Sequence, residues 1–229
     1  MTGATGYTGR EVVRALREAG VDVVAHVRPD SSNLDGWRTR FERLGARIDT
    51  TPWQPDAMQA TLVAFRPDLV FALLGTTRAR ARRAARSGAR ETYDTIDYGL
   101  TMMLYEAARR AGSRPRFVYL SAIGVRPGIR NAYLAARDRV EQAVTQGDLP
   151  YVIARPSFIT GPDRDEFRLG ERLVAGITDG VLAGFGLLGA HRMRERYRST
   201  TAAVLARALV RAALDPTARS RVLESEELR

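Results

Sequence analysis

The chain has 229 residues, 45% hydrophobic and 27% charged, which suits one globular core with at most a small appended lobe. It contains no cysteine, so disulfides, thiolate metal sites and cysteine nucleophiles are excluded, and two histidines with no HxH or HxxxH spacing make a zinc site improbable. Its formal charge is +10, carried by 36 arginines and no lysine, which reads as a coding bias and a solvated surface more than as nucleic-acid binding, since no nucleic-acid-binding motif accompanies it.

The chain opens MTGATGYTGREVV. Gly3, Gly6 and Gly9 have the spacing of a phosphate-binding turn, with glycine where the backbone turns, where it approaches a diphosphate and where the following helix packs on a sheet. That helix has its apolar face at Val12, Val13, Leu16 and Ala19 and ends at Gly20. Its free N–H groups would point at the diphosphate. A glycine-rich turn in a nucleotide-free domain is the plainer alternative.

Next come a β-branched strand over 21–27, an amphipathic helix over 34–44 and a brief strand over 46–49. Arg28, just past the first of these strands, occupies the place where an NAD site usually has an acid for the ribose 2′-hydroxyl. A guanidinium there suits a 2′-phosphate, so NADP is expected over NAD. Asp30 follows closely, and a solvated loop cation is the competing reading.

A helix over 56–65 stops before Pro67, and DLVFALL over 68–74 is a strand. The arginines from Arg78 to Arg90 either cover cofactor phosphates or form a solvated loop. A long helix over 98–111, for which Asp97 could be a cap, precedes a strand over 116–121, a helix over 131–146 and a strand over 151–155. The alternation predicts a doubly wound α/β fold with a parallel sheet. We expect a dinucleotide-binding domain over 1–160 and a C-terminal segment over 161–229, packed on the same domain as a small substrate lobe. The apolar stretch Gly180–Ala190 either lines a pocket or is a packed loop; it is too short to span a membrane. A helix is expected over 201–214.

Taken in order, GATGYTG, HVRPDS, LLGTTR, YLSAIGV, NAYLAAR and IARPSFITGP resemble the atypical short-chain dehydrogenase/reductases, and most nearly the NmrA-like and Tat-interacting-protein-like NAD(P)H-binding proteins. The likeness is strongest from Thr2 to Pro162. It implies that Thr5, Gly6, Tyr7 and Thr8 contact the diphosphate, with Gly3 and Gly9 shaping the turn, and that Arg28 contacts the 2′-phosphate of NADP. It implies that Gly75, Thr76 and Thr77 line the cofactor near its ribose, and that Pro156, Ser157 and Phe158 flank the nicotinamide. Ser121 falls at the superfamily's catalytic serine, and Tyr133 and Arg137 fall on its Tyr-x-x-x-Lys motif.

The chemistry of those residues can also be argued directly. A phenol is a poor proton carrier near neutrality, and a cation one helical turn away on the same face stabilises its phenolate. Ser121 could then hydrogen-bond a substrate carbonyl while Tyr133 exchanges the proton. Arg137 departs from the family's lysine, and arginine does not give up its proton. A non-catalytic NAD(P)H-sensing regulatory protein is therefore the alternative to an oxidoreductase on a small carbonyl or alcohol.

The expected location is the cytoplasm, with a small-molecule substrate, no membrane and no nucleic acid as partners. The helices over 98–111 and 131–146 are candidates to pair across a homodimer. Only Met1 and Thr2 precede the glycine turn, where family members have an apolar strand, so the natural protein is expected to be longer by about five or six residues, with Met1 standing for a valine read from a GTG start.

Overall fold

The computed structural model describes residues 1–76, 92–160, 199–218 and 220–229. Helix α1 (Tyr7–Glu18) buries Val12, Val13, Ala15 and Leu16. Three short elements then alternate: β1 (Val24–His26), α2 (Leu34–Arg43) and β2 (Arg47–Asp49). Helix α3 (Pro55–Phe65) starts on a proline at its first turn and ends at Arg66, in the left-handed region at φ 44°. Strand β3 (Leu69–Ala72) follows.

The helix expected over 98–111 begins earlier and in a different form. A π-helix (Tyr93–Leu100), capped by the Thr92 side chain, leads into α4 (Thr101–Arg110). Asp97 thus lies inside a helix whose cap is Thr92, and it does not cap the helix as its sequence position suggested. Strand β4 (Arg116–Leu120), α5 (Ala132–Gln146) and β5 (Tyr151–Arg155) fall where the sequence places them. Two-residue strands β6 (Ile159–Thr160) and β7 (Thr200–Thr201) pair in parallel, so the chain leaves at Thr160 and returns at Thr201 side by side. Helix α6 (Ala202–Leu214) and strand β8 (Ser220–Glu224) complete the frame. The expectations for Thr77, the Arg78–Arg90 run, Gly180–Ala190 and most of the lobe lie outside the described residues.

Strands β3, β4, β5 and β8 form a parallel sheet in that order, and β1 and β2 form a parallel pair. Both faces of the larger sheet are covered, as a parallel sheet requires. On one face α1 packs on α6 over Val118, Val152 and Ala154. On the other, α3, α4 and α5 enclose Phe117, Tyr119 and Ile153. The alternation of Phe117, Val118 and Tyr119 between the two clusters is the period of two that a strand imposes.

Residues 1–2 run between the two sheets. Thr2 N–H donates to Phe71 O at 2.9 Å and Leu73 N–H to Thr2 O at 3.3 Å, while His26 N–H donates to Met1 O at 2.9 Å. Toward the amino ends of the strands, β1 and β3 do not pair with each other. A cleft of 710 Å³ lies there, lined by Val24, Met58, Leu62, Leu69 and Val70 among others. The residues in this position thus carry the glycine turn on a very short piece of strand.

Candidate dinucleotide site

The turn from Gly3 to Gly9 is set at the carboxyl ends of the strands. Gly3 has φ 74°, and a Cβ on it would come 2.3 Å from the Leu73 carbonyl oxygen. A Cβ on Gly9 would come 2.0 Å from Gly3 O, so the helix can pack on the loop only without one. Gly6 N–H donates to Gly3 O at 3.0 Å and closes the turn.

Helix α1 then begins with no side-chain cap and no acidic residue in its first turn. Its first N–H groups and the positive end of its dipole are therefore left for an anion. Thr8 is buried beneath this end and Thr5 and Tyr7 are half-buried. The Tyr7 hydroxyl donates to Thr160 O at 3.3 Å, joining the turn to β6.

Past β1, the Nε of Arg28 lies 3.7 Å from Asp30 Oδ1, with 41% of its side chain exposed. The guanidinium is accessible to an anion, with an acid beside it. His26, one of the buried polar residues, has Nε2 2.8 Å from Thr51 O. A carbonyl only accepts, so Nε2 carries the proton. Burial holds this histidine below its ordinary range, opposed by Thr51 O and Asp49.

After β3, Gly75 is exposed and Thr76 is buried. Thr76 N–H donates to Asp97 Oδ2 at 3.0 Å, and the other carboxylate oxygen takes Arg137 Nη2 at 3.0 Å. Both side chains of this ion pair are buried, at 5% and 0% exposure. Burial pushes the Asp97 carboxyl up from its usual range, and the Arg137 charge and the Thr76 N–H oppose that shift.

Arg137 also donates to the Leu120 carbonyl oxygen and stands 3.5 Å from Leu74 O. It thus ties together the ends of β3 and β4. Its guanidinium carbon sits 4.6 Å from the centre of the Tyr133 ring, whose edge-on neighbour Tyr93 has its ring centre at 5.3 Å. Tyr133 and Arg137 are brought together as their spacing predicts. The contact is a cation over a ring face.

Ser121 is placed differently from a free catalytic serine. It is buried at 3% exposure, and its hydroxyl donates to Glu141, which also takes two donors from Arg155, Nε at 3.2 Å from either oxygen. Glu141 is one turn beyond Arg137 on the same helix face, a spacing from which its place at the site could have been read. Pro156 and Ser157 are buried and Phe158 is half-buried. This segment follows β5, with Ile123 N–H donating to Pro156 O at 3.0 Å and Thr200 N–H to Phe158 O at 2.9 Å. Sequence reasoning missed Glu141, Arg155 and Glu224, because each is charged and reads as surface when its partners are unknown.

These residues fit a dinucleotide. The glycine turn opens on uncapped helix N–H groups, and the Arg137 Nε and the Thr76 hydroxyl are buried without a hydrogen-bond partner among the described residues. Most buried polar atoms of folded proteins are hydrogen-bonded, so orphaned donors at the carboxyl ends of the strands are groups a bound ligand would use. Among the described residues there is no group of His, Asp or Glu that could hold a metal ion, and no helix is long and apolar enough to cross a membrane.

Comparison with known proteins agrees with this geometry. Residues 3–180 match the model of a family described as NAD(P)H-binding. The chain is 28% identical over 183 residues to the mitochondrial protein FMP52 of Coccidioides immitis, a stretch covering 76% of this chain and 70% of that protein. It is 29% identical over 178 residues to a ceramide reductase of Caulobacter vibrioides, covering 72% of this chain but 47% of that protein. Among solved structures, the anaerobilin reductase ChuY of Escherichia coli O157:H7 superposes with a TM-score of 0.60 at 15% identity over 97% of this chain and 93% of that one. A UDP-glucose-4-epimerase of Stenotrophomonas maltophila with bound NAD gives 0.66 at 17% identity, over 97% of this chain and 75% of that one. At these identities the structural likenesses speak for the fold alone: a Rossmann-like parallel sheet flanked by helices.

Proposed function

Because this chain belongs to the NAD(P)H-binding family, we propose that it is an NADP-dependent oxidoreductase of the atypical short-chain dehydrogenase/reductase type, acting on a small carbonyl or alcohol. The observation that carries the reading is the buried Arg137 guanidinium against the face of Tyr133, at the carboxyl ends of β3 and β4, where ligands of such sheets bind. When bound, the dinucleotide supplies or accepts the hydride. The turn over Gly3, Thr5, Gly6, Tyr7, Thr8 and Gly9 holds its diphosphate, and Arg28 favours a 2′-phosphate. Gly75 and Thr76 line the ribose, with Thr77 assigned by resemblance. Pro156, Ser157 and Phe158 flank the nicotinamide.

Tyr133 gives its phenolic proton to the substrate oxygen in reduction and takes one back in oxidation. Arg137, packed against the ring face, fixes where Tyr133 stands and never releases a proton itself. The Ser121 proton is committed to Glu141, so toward a substrate this serine acts first as an acceptor. A cytoplasmic location belongs to this reading, although the FMP52 relatives are named mitochondrial.

The second reading is an NAD(P)H-sensing regulatory protein without turnover. Two observations favour it: Arg137 is locked to Asp97, and the Ser121 proton is already held. One experiment separates the two. NADPH oxidation is followed with a panel of aldehydes and ketones, for the protein and for Tyr133→Phe, with NADP+ affinity measured in parallel. The enzyme reading expects turnover that Tyr133→Phe lowers at least about a hundredfold, the scale of general acid–base catalysis, with affinity kept. Tight NADP(H) binding without turnover on any carbonyl selects the sensor.

A further inference from the structure

The end of the chain reaches the nicotinamide side of the site. Strand β8 runs parallel to β5 in full register, so Glu224 lies beside Arg155. Arg155 Nη1 donates to Glu224 Oε1 at 2.9 Å, and the same guanidinium holds Glu141, which takes the Ser121 hydroxyl. Immediately beyond, a short 3₁₀ turn (Ser225–Glu227) brings the Ser225 hydroxyl 3.3 Å from Ser157 N–H, which donates to it.

This turn is firmly placed. Ser225 is 2% exposed, Leu228 is 1% exposed within the core, and Glu227 accepts from Glu224 N–H at 2.9 Å and from Arg221 at 2.9 Å. The loop it touches is also held by backbone bonds, through Pro156 O and Phe158 O. The bond at Ser157 N–H comes from a side chain of a distant segment.

We propose that Glu224 and Ser225 are positioning residues of the cofactor site, fixing Pro156–Phe158 and, through Arg155 and Glu141, Ser121. The proposal rests on the reading that the nicotinamide docks against Pro156–Phe158. Neither residue touches the cofactor; Ser225 sets where the loop backbone stands, and Glu224 sets the arginine at its root. Their effect falls mainly on the nicotinamide end, because Ser225 and Glu224 bond directly to Ser157 and Arg155, whereas the diphosphate turn meets this segment further on, through Tyr7 and Thr160.

The test compares two ligands in the full chain, NADP+ and 2′-phospho-ADP-ribose, which shares every group except the nicotinamide ring. Calorimetry gives the affinity ratio for the parent, Ser225→Ala and Glu224→Ala. Losing one hydrogen bond that aligns the loop is expected to lower the NADP+ preference about fivefold, with 2′-phospho-ADP-ribose affinity unchanged. A preference that survives both variants, or an equal weakening of both ligands, overturns the proposal, since a merely structural role cannot distinguish the two. Ser225→Ala removes a single oxygen and keeps the test available should Glu224→Ala not fold. A parent that binds both ligands equally overturns the docking reading itself, a result distinct from a parent preference that the variants leave intact.

Discussion

At the scale of single residues, the buried charge of Arg137 is compensated locally. A buried guanidinium needs several acceptors, and Asp97, Leu120 O and Leu74 O surround it. Removing one partner of such a pair leaves an uncompensated buried charge. Asp97→Asn keeps the shape and removes the charge, and is expected to cost about 3–5 kcal/mol in urea denaturation. A loss below about 1 kcal/mol would mean that the tyrosine rings already balance Arg137. At the other end of the site, Arg28 is accessible with Asp30 beside it. Arg28→Ala is expected to weaken NADP+ by about tenfold or more while leaving NAD+ nearly unchanged, since a charge-assisted contact to phosphate is worth about 1.5–3 kcal/mol. Equal losses for both nucleotides would sink the NADP preference. Tyr133 and Arg137 were legible from their i,i+4 spacing. Glu141 could have been read from the same spacing, one turn past Arg137; Asp97 could not, because its burial depends on an arginine 40 residues away.

At the scale of elements, the strands and helices up to β5 follow their periodicity closely, since each buries an apolar face or run that local sequence displays. Strand β8 escaped notice: its first residues, Ser220 and Arg221, are exposed, and its pairing is decided by β5 alone. The π-helix escaped for a related reason. Its eight residues, with Asp97 buried in the middle, are selected by the contacts that Tyr93, Asp94, Asp97 and Tyr98 make with α5, and no helical period displays them. Helix α5, which carries Tyr133, Arg137 and Glu141, starts at Asn131, whose side chain accepts from Leu134 N–H at 3.1 Å. Asn131→Ala is expected to cost about 1 kcal/mol and to lower the melting temperature by a few degrees. An unchanged melting curve would show that tertiary packing alone fixes this end.

At the scale of the whole molecule, the doubly wound architecture was readable because the strands up to β5, apart from β2, are short apolar runs between helices. Of the C-terminal part, α6 falls where its sequence places it, and its packing on α1 and the pairing of β8 with β5 make both part of the main frame. The sheet is divided: among the described residues, backbone hydrogen bonds of Met1 and Thr2 link β1–β2 to β3–β4–β5–β8. The clasp between β6 and β7 has a consequence of another kind. Neighbouring strands stand about 4.8 Å apart, so the points where the chain departs and returns are one strand spacing from each other. The segment between them is closed by the frame itself and can be treated as an exchangeable cassette. Replacing residues 161–198 by a short glycine–serine link is expected to leave the frame folded, because each halving of a closed loop favours folding by roughly 0.6 kcal/mol. Retained cofactor affinity with altered carbonyl preference, read on the same substrate panel, would assign selectivity to the cassette and binding to the frame. Collapse of the melting transition would instead show that the two are one cooperative unit. Grafting related segments onto this clasp then becomes a route to new specificities on an unchanged cofactor platform.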